Sequence, residues 1–180
     1  TRVQCSLDDE FMLVSVPDDR ETFRINGDRM TPGISVSNSE VGLAALSIST
    51  FTLRLVCTNG MISKTEVSAS YRHVSSKLLS NLPGVLNELE AGFGQQREQF
   101  QISLESKVEN PEATIESFNR QFELRKEEKE AVEWALAQEY GFTMFSVVNT
   151  YTKAAQFELL SAESRFRLQK VGGMVLGMVK

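Results

Sequence analysis

The stretch from Gly33 to Val74 constrains this chain more than any other. It reads GISVSNSEVGLAALSISTFTLRLVCTNGMISKTEVSASYRHV and holds two β-rich runs, Leu46 to Cys57 and Ile62 to Val74, joined by Thr58-Asn59-Gly60-Met61. Asn-Gly between runs of β-branched and aromatic residues signals a hairpin, because both residues tolerate positive φ. A two-residue loop would set Leu55 against Lys64 and Leu53 against Glu66, with charges beside the apolar row Phe51, Leu53, Leu55. A loop one residue longer pairs Leu55 with Thr65, Leu53 with Val67 and Phe51 with Ala69. A one-residue slip moves every side chain to the other face, so the apolar pattern predicts a three-residue connection or a bulge. Leu46 and Ile48 have the opposite parity to Phe51, which predicts a bulge or bend near Ser49-Thr50. Arg54 falls on the face away from Leu53. It is a solvent-facing strand arginine, a phosphate ligand or the partner of a fixed internal carboxylate.

Upstream, Phe11 to Val16 has strand character and stops at Pro17-Asp18-Asp19, and Glu21 to Ile25 can pair back on it. Asn26-Gly27-Asp28 and Thr31-Pro32-Gly33 read as turns, and Ile34 to Ser37 as a short strand. The polar run Ser37 to Gly42 connects it to the long strand. Residues 1–74 thus predict an antiparallel sheet of about four or five strands.

Helical spacing takes over after His73, with Ser75-Ser76 as a cap. Leu78, Leu79 and Leu82 form a first apolar patch, and Pro83-Gly84 predicts a kink or a new start. Leu86, Leu89, Phe93 and Phe100 continue one stripe. Asn110-Pro111 predicts a helix start that buries Ile115, Phe118 and Phe122. Glu123 to Glu130 is charge-rich and reads as a solvated face, before Val132 and Leu136 resume the contacts. A further helix spans Thr143 to Phe157, and Ser161 caps a last one. Gly172-Gly173 predicts a close helix–helix contact or a break, and an exposed apolar patch at Gly172 to Val179 would favour self-association. The fold class is α+β: an N-terminal sheet with a long central β-hairpin, then helices over 75–180 packed on it as one domain.

The chemistry-bearing motifs of common enzymes are missing. The lone histidine, His73, sits at the sheet-to-helix junction, where a structural role is expected. There is no phosphate loop and no nucleophile elbow. Two cysteines and one histidine show no zinc spacing, and calcium-loop spacing is absent. No catalytic residue, metal or cofactor is expected. Cys5 and Cys57 read as free buried thiols of a reducing compartment, with a disulfide between them as the alternative. No apolar run reaches membrane-spanning length and no signal peptide is visible.

A net charge of −5 is not that of a nucleic-acid binder, but its distribution is uneven. Residues 51–80 carry 4 basic and 1 acidic side chains, whereas residues 81–140 carry 6 and 13. The hairpin is locally basic inside an acidic chain.

Gly27-Asp28, Pro32 to Gly42, Arg54-Leu55-Val56-Cys57-Thr58-Asn59-Gly60-Met61, Arg72-His73 and Val148-Asn149-Thr150-Tyr151-Thr152 together resemble a family of phage and plasmid proteins, domain-of-unknown-function family 932. The resemblance spans most of the chain and implies a mobile-element setting in the bacterial cytoplasm. It brings no catalytic residues. Among the matched residues, Asn59 and Gly60 suit turn geometry, and Gly33 and Gly42 suit backbone bends. Asn38, Ser39 and Glu40 form a polar loop, either for Asx-type bonding or for ligand contact. Asn149 and Thr152 read as a buried polar network, and Cys57 completes the matched core.

Two functions follow. One is a single-stranded DNA binding or annealing accessory, by fold-level analogy with single-strand annealing proteins. Its surface would comprise Arg54, Lys64, Arg72, His73 and Lys77, with Tyr71 for base stacking, and a homo-oligomer would supply avidity. The other is a protein-interaction or counter-defence module, for which the acidic helices suffice.

Overall fold

The computed structural model describes residues 3–7, 11–39, 46–54, 59–62, 69–71 and 76–179. The chain is α+β, with an antiparallel sheet followed, among the described residues, by five α-helices. The strands are β1 (Gln4–Leu7), β2 (Met12–Pro17), β3 (Phe23–Ile25), β4 (Asp28–Asn38), β5 (Leu46–Arg54), β6 (Asn59–Ile62) and β7 (Ala69–Tyr71). Their order is β1-β2-β4-β5-β6, with β3 also on β4 and β7 also on β5.

Thr31-Pro32-Gly33 is not a turn, because β4 runs straight through it. Pro32 is tolerated where β3's pairing has ended and β2's has not begun. Its carbonyl accepts from Asp18 N at 2.8 Å, so its missing N–H faces that gap. Gly33 is required by close packing, not by a bend. A Cβ there would lie 2.3 Å from the Val16 carbonyl oxygen and 2.6 Å from the Phe51 ring.

The central strand differs from the expected hairpin in register. Arg54 pairs with Asn59, Leu53 with Gly60 and Phe51 with Ile62, so Asn59-Gly60 is strand; the predicted connection over residues 55–58 lies outside the described residues. Ala69 pairs with Ile48 instead of Phe51. There is no bulge at Ser49-Thr50, which pair regularly with Ser35 and Ile34. The reason is that β5 is covered on both faces. Phe51 and Leu53 pack with Phe11, Leu13, Ala162 and Phe166. On the other face Gln96 donates to Thr50 Oγ1 and accepts from Thr52 Oγ1, both at 2.8 Å. A strand buried on both sides has no single greasy face, so alternation does not rank its registers.

The helices are α1 (Ser76–Glu105), α2 (Pro111–Gln121), α3 (Lys126–Glu139), α4 (Met144–Ala154) and α5 (Ala162–Gly177). α1 continues through Pro83, so no second helix starts there; Pro83 and Gly84 are exposed. Three of the other starts, those of α2, α4 and α5, follow local cap chemistry. The side chains of Asn110, Thr143 and Ser161 accept from the N–H groups of Ala113, Ser146 and Ser164. Between α2 and α3, Glu123 takes φ 49°, which turns the chain.

The main core joins Phe23, Ile25 and Met30 of the sheet to Phe100 of α1, Val132 of α3, Val148 and Tyr151 of α4 and Val175 of α5. Gly172 gives α5 close approach to α4, since a Cβ there would sit 2.9 Å from Thr152 Cγ2. The end of α5 is not an exposed patch: Val175, Leu176 and Val179 are buried. Glu128 likewise leaves the expected solvated face and is fully buried. Cys5 is free and exposed, neither buried nor paired with Cys57. Cys57 lies outside the described residues.

Candidate functional site

Arg54 closes β5 and leads the proposed DNA surface, but its guanidinium is enclosed. Nε donates to Asp28 Oδ2 at 2.7 Å and Nη1 to Glu139 Oε2 at 2.8 Å. The three side chains are only 12–14% exposed. The Phe145 ring lies beneath the guanidinium, 5.9 Å from centroid to Cζ. Burial alone would lower the arginine's pKa, but the bonds to Glu139 and Asp28 and their charges hold it above the ordinary value. Each partner has a local reason. Asp28 follows the Asn26-Gly27 turn, where Asn26 and Gly27 have φ of 51° and 84°. Glu139 ends α3, where the helix dipole disfavours an acid and a cation offsets it. Of the alternatives open in the sequence, Arg54 is therefore the partner of internal carboxylates.

The other predicted site residues are only partly placed. Lys64, Arg72 and His73 lie outside the described residues, as do Glu40 and Gly42. Tyr71 sits in β7 opposite Leu46, and Lys77 in the first turn of α1. Asn38 ends β4 opposite Met12, and Ser39 beyond it is buried. Asn149 and Thr152 are buried on α4, where Thr152 Oγ1 donates to the Asn149 carbonyl at 3.1 Å. Beside them the Tyr151 hydroxyl shares its one hydrogen between Asn119 Oδ1 at 2.9 Å and the Ile115 carbonyl at 3.2 Å. Burial, with Glu116 nearby, holds that phenol far above its usual range, so it is a neutral tie between α2 and α4.

A different surface emerges in the helical half. Ser106 to Val108 pairs with Phe142 to Met144 through Val108 N to the Phe142 carbonyl and Met144 N to the Ser106 carbonyl, both 2.9 Å. This short ribbon and α2 enclose an open groove of about 490 Å³, with Val108, Ala113, Phe118 and Met144 as its apolar lining and Lys107 and Glu109 among its polar residues. Tyr140 and Phe142 stand beside it, 51% and 58% exposed, their rings edge to face at 5.6 Å. The Glu112 carboxylate beside the Tyr140 hydroxyl raises the phenol's pKa, and burial adds to it. The sequence reading passed over these residues. The available signal was Tyr140-Gly141-Phe142, two aromatics flanking a helix-ending glycine.

Comparison with known protein families, curated proteins and solved structures finds no match. Among the described residues no helix is long and apolar enough to cross a membrane.

Proposed function

We propose that this chain is a non-enzymatic protein-interaction module, in the phage- or plasmid-borne setting that the sequence resemblance implies. The exposed Tyr140–Phe142 pair beside the α2 groove carries this reading. Large aromatics that keep half their surface in water next to an apolar cleft are typical anchors of protein contacts. Glu109 in the groove lining and Glu112 beside Tyr140, against the one lining cation Lys107, favour a partner segment that combines apolar residues with Lys or Arg. The test is an array of dodecapeptides mixing Leu or Phe with Lys or Arg, probed with the wild type and with Phe142→Asp. Binding by the wild type that the folded variant loses supports the reading. Equal binding by both, or none by either, rejects it.

Single-stranded DNA binding is the second reading, and one observation favours it. Arg24 and Arg29 are exposed and stand directly opposite each other across the β3–β4 hairpin. Like charges so placed repel, and an anion between them would relieve the repulsion. Fluorescence anisotropy with labelled oligonucleotides across a salt titration tests it. Binding with a steep negative salt slope, lost in Arg24→Ala/Arg29→Ala, supports DNA, and no binding at low salt rejects it.

A further inference from the structure

We propose that β1 is the interface through which two copies of this chain join edge to edge into one continuous antiparallel sheet. β1 stands at the end of the strand order, and among the described residues nothing pairs with its outer edge. An unprotected edge presents a row of free N–H and C=O groups. Natural edges are usually blunted by charge, proline or a bulge, yet Gln4–Leu7 carries none of these.

Its side chains point the same way. Val3 and Leu7 are 55% and 71% exposed, and Cys5 between them is exposed. Cys5 pairs with Val14 and Leu7 with Met12, so these side chains share one face of the sheet. That face continues through Val16, 43% exposed, to half-buried Ile34 and Val36, which pair with Val16 and Val14. The result is a contiguous apolar sheet face that ends at an open strand edge.

The occupant that fits is a second copy. An antiparallel pair of identical strands with its two-fold axis at Cys5 sets Val3 against Leu7 of the other copy, Gln4 against Ser6, and Cys5 against Cys5. Each apolar residue then meets an apolar one, and no like charges face each other, as an isologous contact requires. Directly opposed residues in an antiparallel pair have Cα atoms about 4.5–5.5 Å apart. That is within the range a disulfide spans, so the two Cys5 thiols report the pairing.

The experiment uses the unmodified chain and Val3→Lys/Leu7→Lys. Both positions are exposed, so the double variant keeps its fold, which circular dichroism verifies. Light scattering coupled to size exclusion should give twice the 20.1 kDa chain mass for the wild type and the single mass for the variant. Brief treatment of the wild type with diamide, which accepts the two electrons and two protons released by a thiol pair, should yield a covalent dimer. Peptide mass spectrometry should place its link between Cys5 and Cys5. A monomeric wild type overturns the proposal. So does a dimer that survives in the folded variant, or a covalent dimer linked only through Cys57.

Discussion

Two buried charge clusters hold this molecule together, and they are built differently. At the sheet–helix junction Arg54 bonds to two carboxylates from two elements, at 2.7 and 2.8 Å. Between α3 and α5 the buried charge is instead a carboxylate, Glu128, with no exposure at all. Its Oε2 accepts from Arg125 N at 2.9 Å, but its Oε1 has no hydrogen-bond partner among the described residues. Arg167 stands off at 3.6 Å, and Arg125 turns its guanidinium outward to Glu163. The contrast teaches that geometry, more than ion-pair count, sets what a buried charge contributes. A guanidinium fork reaches two acceptors from one position, whereas a carboxylate at a helix start is held mainly by the backbone.

Breaking the first cluster should have the largest effect. Arg54→Met leaves Asp28 and Glu139 facing each other without a cation, at an expected cost of about 3–5 kcal/mol in urea unfolding. Adding Asp28→Asn and Glu139→Gln should recover most of that loss, because no uncompensated charge then remains. Failure to recover would mean that Arg54 acts through packing on Phe145.

Glu128→Gln should cost less, about 1–2 kcal/mol, since the amide oxygen still accepts from Arg125 N while its NH₂ replaces the orphan oxygen. A loss as large as that of Arg54→Met would erase the contrast and make Glu128–Arg167 a full-strength pair. Arg125→Met should fall lower again, about 0.2–1 kcal/mol and weaker still in high salt. Its bidentate pair with Glu163 is 45% and 26% exposed.

The smallest effect serves as the exposed reference. The Arg20 side chain's hydrogen bonds hold the Asp18 carboxyl down at about 2, from an ordinary 3.8. A depressed folded-state value means that this stabilisation is fully present above pH 3.8 and is lost as the pH falls through about 2. Carboxyl chemical shifts followed against pH should show this midpoint, and Arg20→Ala should return it toward 3.8. An unmoved midpoint would remove Arg20 as the cause.

How much of this was legible in the sequence depends on distance along the chain. The caps at Asn110 and Ser161 were readable because donor and acceptor lie three residues apart, and the helix start at Thr143 was read without its cap role. The close crossing at Gly172 was readable as one of two outcomes, since only a small residue permits such an approach. The hairpin register was not, because Asn59-Gly60 prefers a turn in isolation while the sheet uses both residues in a strand. The role of Arg54 stayed open for the same reason: its acceptors lie 26 and 85 residues away. The Tyr140–Phe142 surface was missed because aromatics near a helix end read as core until burial is known.

By itself, then, the sequence determined the α+β class, the order of sheet before helices and the starts of three helices. These rest on periodicity, β-propensity and cap chemistry, all of which act over a few residues. Tertiary structure alone decided that both faces of β5 are covered, that β4 passes through Pro32, and that Arg54 and Glu128 are interior charges. Each of those outcomes depends on which distant elements meet, and the free energy of that meeting is not written in any local stretch of the chain.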